Sequence, residues 1–425
     1  MTDLTPGSSK SPSLQDSGLR AEVAIVGAGL VGGTLACALA GHGIKTVLID
    51  RLDPGVAVMP AFDGRASAVA LSARRFLAAI GLWEHLAGNN EPIREIRVSD
   101  GHSPFFLHYD HADVGDEPLG FMVENRRLRL AITARMRSLG EYLTIVAPAA
   151  VAGLSQNADA VTLRLGDGRK VSASLVVSAE GREAKLRTLA GIGVTGWTYP
   201  QVAIVATIGH ARPHDGIAHE HFLPAGPFAI LPLPDENGTH RSSLVWTERA
   251  ETAAGYLALP EAAFLAEIDA RVGGFLGPLT LIGPRFSHPL GLQFAAQYGA
   301  GRLLLAGDAA HGIHPIAGQG LNLGFRDVAA LTEIIVDAKQ LGLDLAHPEG
   351  TARYERWRRA DNLVMAGVTD VLNRLFSNDI VPVRLARDAG LGVVNRITPL
   401  KKMLMRHAMG TVGDLPRLMR GESLR

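Results

Sequence analysis

The chain carries GAGLVG at Gly27–Gly32 and, far downstream, the run GRLLLAGDAAHGIHPIAGQGLNLGFRD at Gly301–Asp327. The first motif sits between a short apolar stretch, Glu22–Val26, and an Ala-rich stretch, Leu30–Gly41. Together these predict a strand, a tight turn and a helix. Gly27 permits the turn, Gly29 lets a pyrophosphate approach the backbone, and Gly32 lets helix and strand pack closely. The helix N-terminus adds free N–H groups and the positive end of a dipole. A second strand is expected at Lys45–Ile49. Asp50 ends it, 18 residues after Gly32, where a carboxylate accepts from ribose hydroxyls.

The downstream run predicts a strand at Arg302–Ala306, then Gly307 and Asp308, then a glycine-bearing loop, then a helix from about Leu321 to Val336. Asp308 is placed to accept from a ribityl hydroxyl. Gly318, Gly320 and the backbone beside Gln319 let a flat ring lie against the chain. The helix N-terminus suits the negative charge that a reduced flavin carries on its pyrimidine edge. A dinucleotide fingerprint alone leaves many oxidoreductases open. The two motifs together point to a flavin held by both ends of the chain. The expected fold class is α/β: a Rossmann-like FAD-binding domain with an inserted mixed β-sheet substrate domain and a helical C-terminus.

His311 and His314 lack the nearby carboxylate or cysteine set that a metal site needs, so loop or packing roles are expected and no metal. Arg326 and Asp327 read as a solvated or helix-docking ion pair. Cys37, the only cysteine, falls inside the first helix and reads as a small packing residue. A lone cysteine allows no intrachain disulfide, which suits a reducing cytosol. Lys and Arg balance Asp and Glu at 42 each, so no global field draws nucleic acid. Residues 1–20 are polar and rich in Ser, Pro and Gly, and read as a disordered tail. No apolar run reaches the length of a membrane span.

Several further segments carry a resemblance: FDGRASAVALS (62–72), FMVENRRL (121–128), GPFAILPLP (226–234), SSLVWTE (242–248), GQGLNLGFRD (318–327), LNRLFSND (372–379) and KKMLMRHAMG (401–410). Over roughly residues 21–420 the chain resembles the class A flavin monooxygenases of the para-hydroxybenzoate hydroxylase fold. More closely, it resembles their ubiquinone-biosynthesis hydroxylases. The resemblance implies FAD, with Asp50 on the adenine-side ribose and Asp308 on the ribityl chain. It places Arg65 near the flavin and Asn125 near the cofactor path, with Pro315, Gly318, Gln319, Gly320, Leu321 and Asn322 flanking the isoalloxazine. It implies NADH or NADPH as electron donor, a flavin C4a-hydroperoxide as oxygen donor, and a polyprenyl phenol lipid as substrate. A quinone-biosynthesis protein complex is the implied setting.

The middle motif departs from the family pattern. Here it reads LVVSAEGREAKLR (175–187): Gly181 and Arg187 match, but Glu180 stands where Asp is usual and Ala184 where Ser is usual. The departure bears on the contacts to pyrophosphate and NAD(P)H. It leaves room for a non-catalytic flavoprotein scaffold, and a hydroxylase of a small soluble phenol is the other alternative.

The FAD domain is expected at 21–92, 121–192 and 285–350, and the substrate domain at 93–120 and 193–284. Strands at Gln201–Ile208, His219–Leu223, Phe228–Pro232 and Arg241–Thr247 are expected to form one sheet roofing the substrate. Phe228, Leu231, Pro232 and Leu233 are then pocket candidates or ordinary strand core. Residues 351–425 read as helical. Trp357, Asp361, Val364, Val368, Val371 and Leu375 form a packing stripe. A further helix has Thr398 as N-cap, Pro399 in its first turn and Gly410 at its end, with Leu400, Met403, Leu404, His407 and Ala408 as its stripe. From Arg384 to Arg425 there are nine Lys/Arg and three Asp/Glu. Such a basic amphipathic C-terminus suits two placements: on an anionic membrane surface, or packed on the FAD domain with its charges in water. The expected location is cytoplasmic, with peripheral contact on the inner membrane face under the first placement.

Overall fold

The computed structural model describes residues 18–53, 64–101, 106–313, 318–376 and 395–424. The strand Leu19–Val26 is buried over Val23–Val26 and lies at the centre of a largely parallel sheet. On one side it pairs with Thr46–Ile49 and then Leu143–Val146. On the other it pairs with Lys170–Ser178, which pairs in turn with Leu303–Leu305. The chain therefore leaves the central strand in both directions. In such sheets a ligand crevice opens beyond the carboxyl ends of the strands at that switch point. The register aligns Val26 with Ser178 and Ser178 with Leu305. Three turns far apart in sequence, at Gly27, Glu180 and Asp308, are thus brought to one edge.

The helix Leu30–Gly41 is buried from Gly32 to Ala40 and packs against the helices Asn125–Arg137 and Gln319–Gln340. Its small residues allow that closeness. Cys37 is fully buried within it, and burial pushes its thiol up to about 12, as a packing role requires.

A second sheet runs in the order His311–Gly312, Leu279–Ala295, Val194–His210, Thr239–Arg249, Gly226–Glu236, Ile217–Leu223, Glu95–Asp100 and Phe106–Asp110. The two insertions expected to build the substrate domain meet in it. Leu279–Ala295 pairs with Val194–His210 along its length, so the sheet runs past the boundary expected at 284/285. The helices Ala250–Ala258 and Glu261–Val272 cover its outer face, packing Ala253, Phe264 and Ile268 over Ile204, Phe228 and Trp246.

The C-terminal helices pack differently from the sequence expectation. Among the described side chains of Pro348–Phe376 the buried ones are Tyr354, Arg358 and Asn362, while Val364 and Val371 are each 61% exposed and Leu375 is exposed. The side chain of Val368 lies outside the described residues. Trp357 packs on the FAD-domain core and Asp361 pairs with Arg326 and Arg358, as the stripe expected, but Val364, Val371 and Leu375 do not follow, because the docking face runs through the polar network of Arg358 and Asn362 on Asp327. The last long helix, Thr398–Ala408, has Ile397 as N-cap, so Thr398 is already helical, and Gly410 follows its end at φ +70°. Its inward side chain is Met405, with Met409 one turn further on, against Leu71, Met122 and Leu233. Met403, expected on the stripe, is 54% exposed. Lys401 pairs with Asp113 at 2.6 Å. The described part of this region therefore packs on the protein. No helix among the described residues is long and apolar enough to cross a membrane. Met405→Ala is expected to cost about 2–5 kcal/mol of stability. An unchanged denaturant midpoint would show that this helix contributes nothing to the fold.

Candidate active site

The glycines of the first turn have separable jobs. Gly27 lies at φ +102°, and a Cβ there would come 2.4 Å from the Ala179 carbonyl oxygen. A Cβ on Gly32 would come 1.9 Å from the Gly27 carbonyl oxygen. Both positions are fixed by protein meeting protein. A Cβ on Gly29 would meet nothing within 4 Å, and Gly29 is the N-cap of Leu30–Gly41 with no side-chain cap. The first N–H groups of that helix are left for a ligand. Asp50 stands against the same turn: its carboxylate accepts from Ala28 N at 2.5 Å and from Leu52 N at 2.7 Å.

The middle motif braces the site. Glu180 accepts from Ser178 Oγ at 2.8 Å and from Leu186 N at 3.0 Å, so its longer arm reaches over the start of the short helix Lys185–Leu189. Gly181, at φ +84°, makes the bend between them. Arg187 is buried and donates to Ala309 O at 2.9 Å and to Arg182 O at 2.7 Å. It locks this motif to the loop bearing Asp308. Arg182, which the sequence reading missed, lies 3.7 Å from the half-exposed Asp308 carboxylate.

Asp327 holds the downstream motif together. It is fully buried, accepts from Gly307 N at 2.9 Å and from Arg358 Nε at 2.8 Å, and meets His311 Nε2 at 2.5 Å. Burial pushes its pKa up, but His311 and Arg358 outweigh that and hold it at about 2. Arg326 does not pair with it. Arg326 reaches Asp361 at 2.8 Å and Gly410 O at 3.0 Å. The expected ion pair is thus two separate ones, because neighbours on a helix point in different directions. His311 has a packing and ion-pair role, and His314 lies outside the described residues.

Gly318 caps the helix Gln319–Gln340 at φ +63°, and a Cβ there would touch Ala68 at 3.4 Å. The helix begins at Gln319, earlier than expected, and also lacks a side-chain cap. Gly320 is open on its Cα side, with nothing within 4 Å of a Cβ. Asn322 is a brace: its amide accepts from Ala70 N and donates to Ala68 O, each at 2.9 Å. Leu321 is half-buried against the FAD-domain core. Asn125 accepts from Ser67 Oγ at 2.7 Å, and its backbone N–H donates to the carbonyl of the exposed Arg65. Arg65, Asn125, Gly318 and Asn322 therefore all converge on the strand Ala66–Ala70. Pro315 lies outside the described residues.

The roof needs correction. Leu231 and Leu233 turn towards Ala66, Ala68 and Met122. Phe228 turns the other way, packing on Trp246 with ring centroids 5.9 Å apart under the outer helices. Pro232 follows Phe228 in the alternation of the strand and shares its outer face. The inward set also includes Tyr199, Ala203, Val205, Leu290 and Leu292, which pack with Ile313 and with Leu323 of the helix Gln319–Gln340. Tyr199 also donates to Asp370 at 2.6 Å.

This arrangement fits FAD. It has two uncapped helix N-termini, two glycines with open space beside them, and a carboxylate, Asp50 or Asp308, at each of two strand ends. Gly29→Ala is expected to leave apoprotein stability unchanged and to lower FAD retention, whereas Gly32→Ala is expected to destabilise the fold itself. Equal melting losses in the two would remove the distinction. Asp327→Asn leaves Arg358 and His311 buried beside a neutral group and is expected to cost about 3–5 kcal/mol. Because its folded pKa is depressed, the Asp327 contribution is present above about pH 4 and is lost as pH falls towards 2. A denaturation series that shows no such acid loss difference between wild type and Asp327→Asn would contradict this.

The FAD binding domain family matches residues 20–361. A ubiquinone hydroxylase of Rhodospirillum rubrum is 53% identical over 422 residues, covering 99% of this chain and 97% of its own. The 3-demethoxyubiquinol 3-hydroxylase of Escherichia coli is 34% identical over 391 residues, covering 92% and 98%. Among solved structures, p-nitrophenol 4-monooxygenase from Pseudomonas putida superposes with a TM-score of 0.74 at 20% identity, over 92% of this chain and 98% of that one, a likeness of fold. The chain belongs to the FAD-dependent monooxygenases, within the family of the ubiquinone-biosynthesis hydroxylases.

Proposed function

We propose that this chain hydroxylates the ring of a polyprenyl phenol on the path to ubiquinone, using NADH or NADPH and dioxygen. The observation that carries the reading is the facing of two surfaces. The FAD edge, with Gly29, Asp50, Asp308 and Gly320, lies beneath a sheet whose inward residues are mostly apolar. Relatives named as a ubiquinone hydroxylase and a 3-demethoxyubiquinol 3-hydroxylase support the substrate class.

Bound FAD would supply the redox chemistry, accepting hydride and activating dioxygen. The protein's own residues do the rest. Asp50 and Asp308 would hold the two sugar-like hydroxyl sets, and the helix beginning at Gln319 would stabilise negative charge at the ring edge. Leu231, Leu233, Val205 and Leu290 would exclude water and orient an aromatic ring. Arg187 and Asn322 fix the frame without touching the reaction. The site residues, the domain boundaries and the setting in a quinone-synthesis complex are all part of this proposal. So is a cytoplasmic location with peripheral membrane contact. Its support is the exposed Ile397 and Met403 beside Lys402 and Arg406 in the C-terminal region.

Asp308→Ala is expected to lose most bound FAD, and a purified variant with full flavin absorbance would remove Asp308 from the site. The reaction is tested with purified holoenzyme, NAD(P)H, a phenol bearing one geranyl chain, and isotopically labelled dioxygen. One labelled oxygen on the ring is expected. NAD(P)H oxidation that yields only hydrogen peroxide with this phenol, and labelled product with simple hydroxybenzoates, would favour the soluble-phenol alternative.

A further inference from the structure

The strand Ile217–Leu223 contains an acid where its pattern calls for an apolar residue. Ala218 and Phe222 are buried and point inward, and Glu220 lies between them on the same face. The register across the sheet fixes what it faces. Glu220 pairs with Ala229, Ala229 with Val245, Val245 with Val205, and Val205 with Phe286. Directly paired residues share a face. Val205 packs with Leu290, Ile313 and Leu323, so this is the face that meets the FAD domain. Leu231, diagonal to Glu220 at about 7–8 Å by sheet geometry, packs on the same core cluster as Ala68, the residue beside Gly318. Glu220 thus stands one strand from the part of the roof closest to the helix-capping loop.

No described residue hydrogen-bonds or ion-pairs with this carboxylate, and two more polar groups on the face are also unpartnered. Thr207 Oγ1 and Ser243 Oγ are fully buried without a hydrogen bond to any described residue, and Thr207 and Ser243 are register partners in the row beside Glu220. Buried polar groups without partners are rare and expensive. Two of them beside the half-buried Glu220, on one face of a sheet that roofs a proposed aromatic site, suit a polar ligand.

We propose that Glu220 is the base that takes the proton from the ring hydroxyl of the phenol substrate. The inference rests on the reading of the chain as a phenol hydroxylase. In the step, the phenol O–H bond breaks, an O–H bond forms on the Glu220 carboxylate, and the electron pair stays on the phenolate oxygen. That raises the electron density of the ring carbon to be oxygenated. Thr207 and Ser243 are then placed to hydrogen-bond oxygen substituents of the ring.

The electrostatics suit that task. Burial alone pushes Glu220 up to about 7, although its side chain keeps some accessible surface, as a group on a cleft wall does. A base is most effective with its pKa near the working pH. Titratable groups on the same face of the packed strands are Asp100 and Tyr109, and the helix Thr398–Ala408 carries Lys401, Lys402 and Arg406, with Lys401 held by Asp113. None of them shifts Glu220. His219 and His221 on its own strand point to the opposite face, where His219 meets Phe275.

The test uses purified holoenzyme with NAD(P)H, dioxygen and the geranyl-bearing phenol, and follows product formation against pH. The proton leaves the phenol for Glu220 as the ring is oxygenated, so in wild type product formation is expected to rise through a midpoint near pH 7. In Glu220→Gln that midpoint should vanish, and the rate should rise only as pH nears the phenolic value of about 10. Product formation at neutral pH should fall by about 10²–10⁴-fold with FAD content unchanged. Glu220→Asp, which keeps the carboxylate, should recover part of the rate. Should the Gln variant fail to hold FAD, the Asp variant carries the test, and a pH profile there that lacks the lower midpoint overturns the proposal. Identical pH profiles in wild type and Glu220→Gln also overturn it. If wild type itself forms no hydroxylated product, the phenol-hydroxylase reading fails first.

Discussion

Asp327 is one buried carboxylate that three separate stretches of chain share. It reaches Gly307 in the loop after the last parallel strand, His311 beyond that loop, and Arg358 on the following long helix. Around it, Tyr354 donates to Leu305 O, and Asn362 reaches Tyr298. A charge this deeply buried is tolerable only when opposite charges and hydrogen bonds replace its hydration. Those bonds also set where Asp308 and the start of the helix Gln319–Gln340 stand. The cofactor edge is therefore held from behind, by groups that do not face it. Arg187 and Asn322 repeat the same logic on either side, tying the loop to the middle motif and to the strand Ala66–Ala70.

Much of this was readable in the sequence where a residue's job is set by its immediate neighbours. The strand, turn and helix around Gly27 follow from local pattern, as do the strand before Gly307 and the strands of the second sheet. What escaped depends on contacts between distant segments. Phe228 and Leu231 look alike in a run of apolar residues, and only the pairing of the strand decides which of them turns inward. The face of the helix Pro348–Phe376 was misplaced in part because it docks through Arg358 and Asn362, which a hydrophobic stripe search counts as solvent-facing. Met405 was missed for a related reason, since several apolar residues share that helix. Glu220 did leave a signal: an acid flanked at two-residue spacing by Ala218 and Phe222, in a strand that otherwise alternates.

The substitution of Glu180 for the family's usual aspartate has a structural account. The extra methylene lets the carboxylate reach Leu186 N and Ser178 Oγ together. The motif keeps its brace, and with Arg187 it still fixes the Ala309 carbonyl next to Asp308. The change therefore does not itself favour a scaffold without turnover.

The account stands on the claim that a prenylated phenol is oxygenated between the FAD edge and the inner face of the second sheet. Mass spectrometry of lipid extracts from the source organism with this gene deleted tests that most directly. Accumulation of a prenylated phenol lacking one ring hydroxyl, with loss of quinone and recovery on restoring the gene, is the predicted result. A quinone pool and precursor profile identical to the parent, in cells with no second hydroxylase for the step, would contradict it.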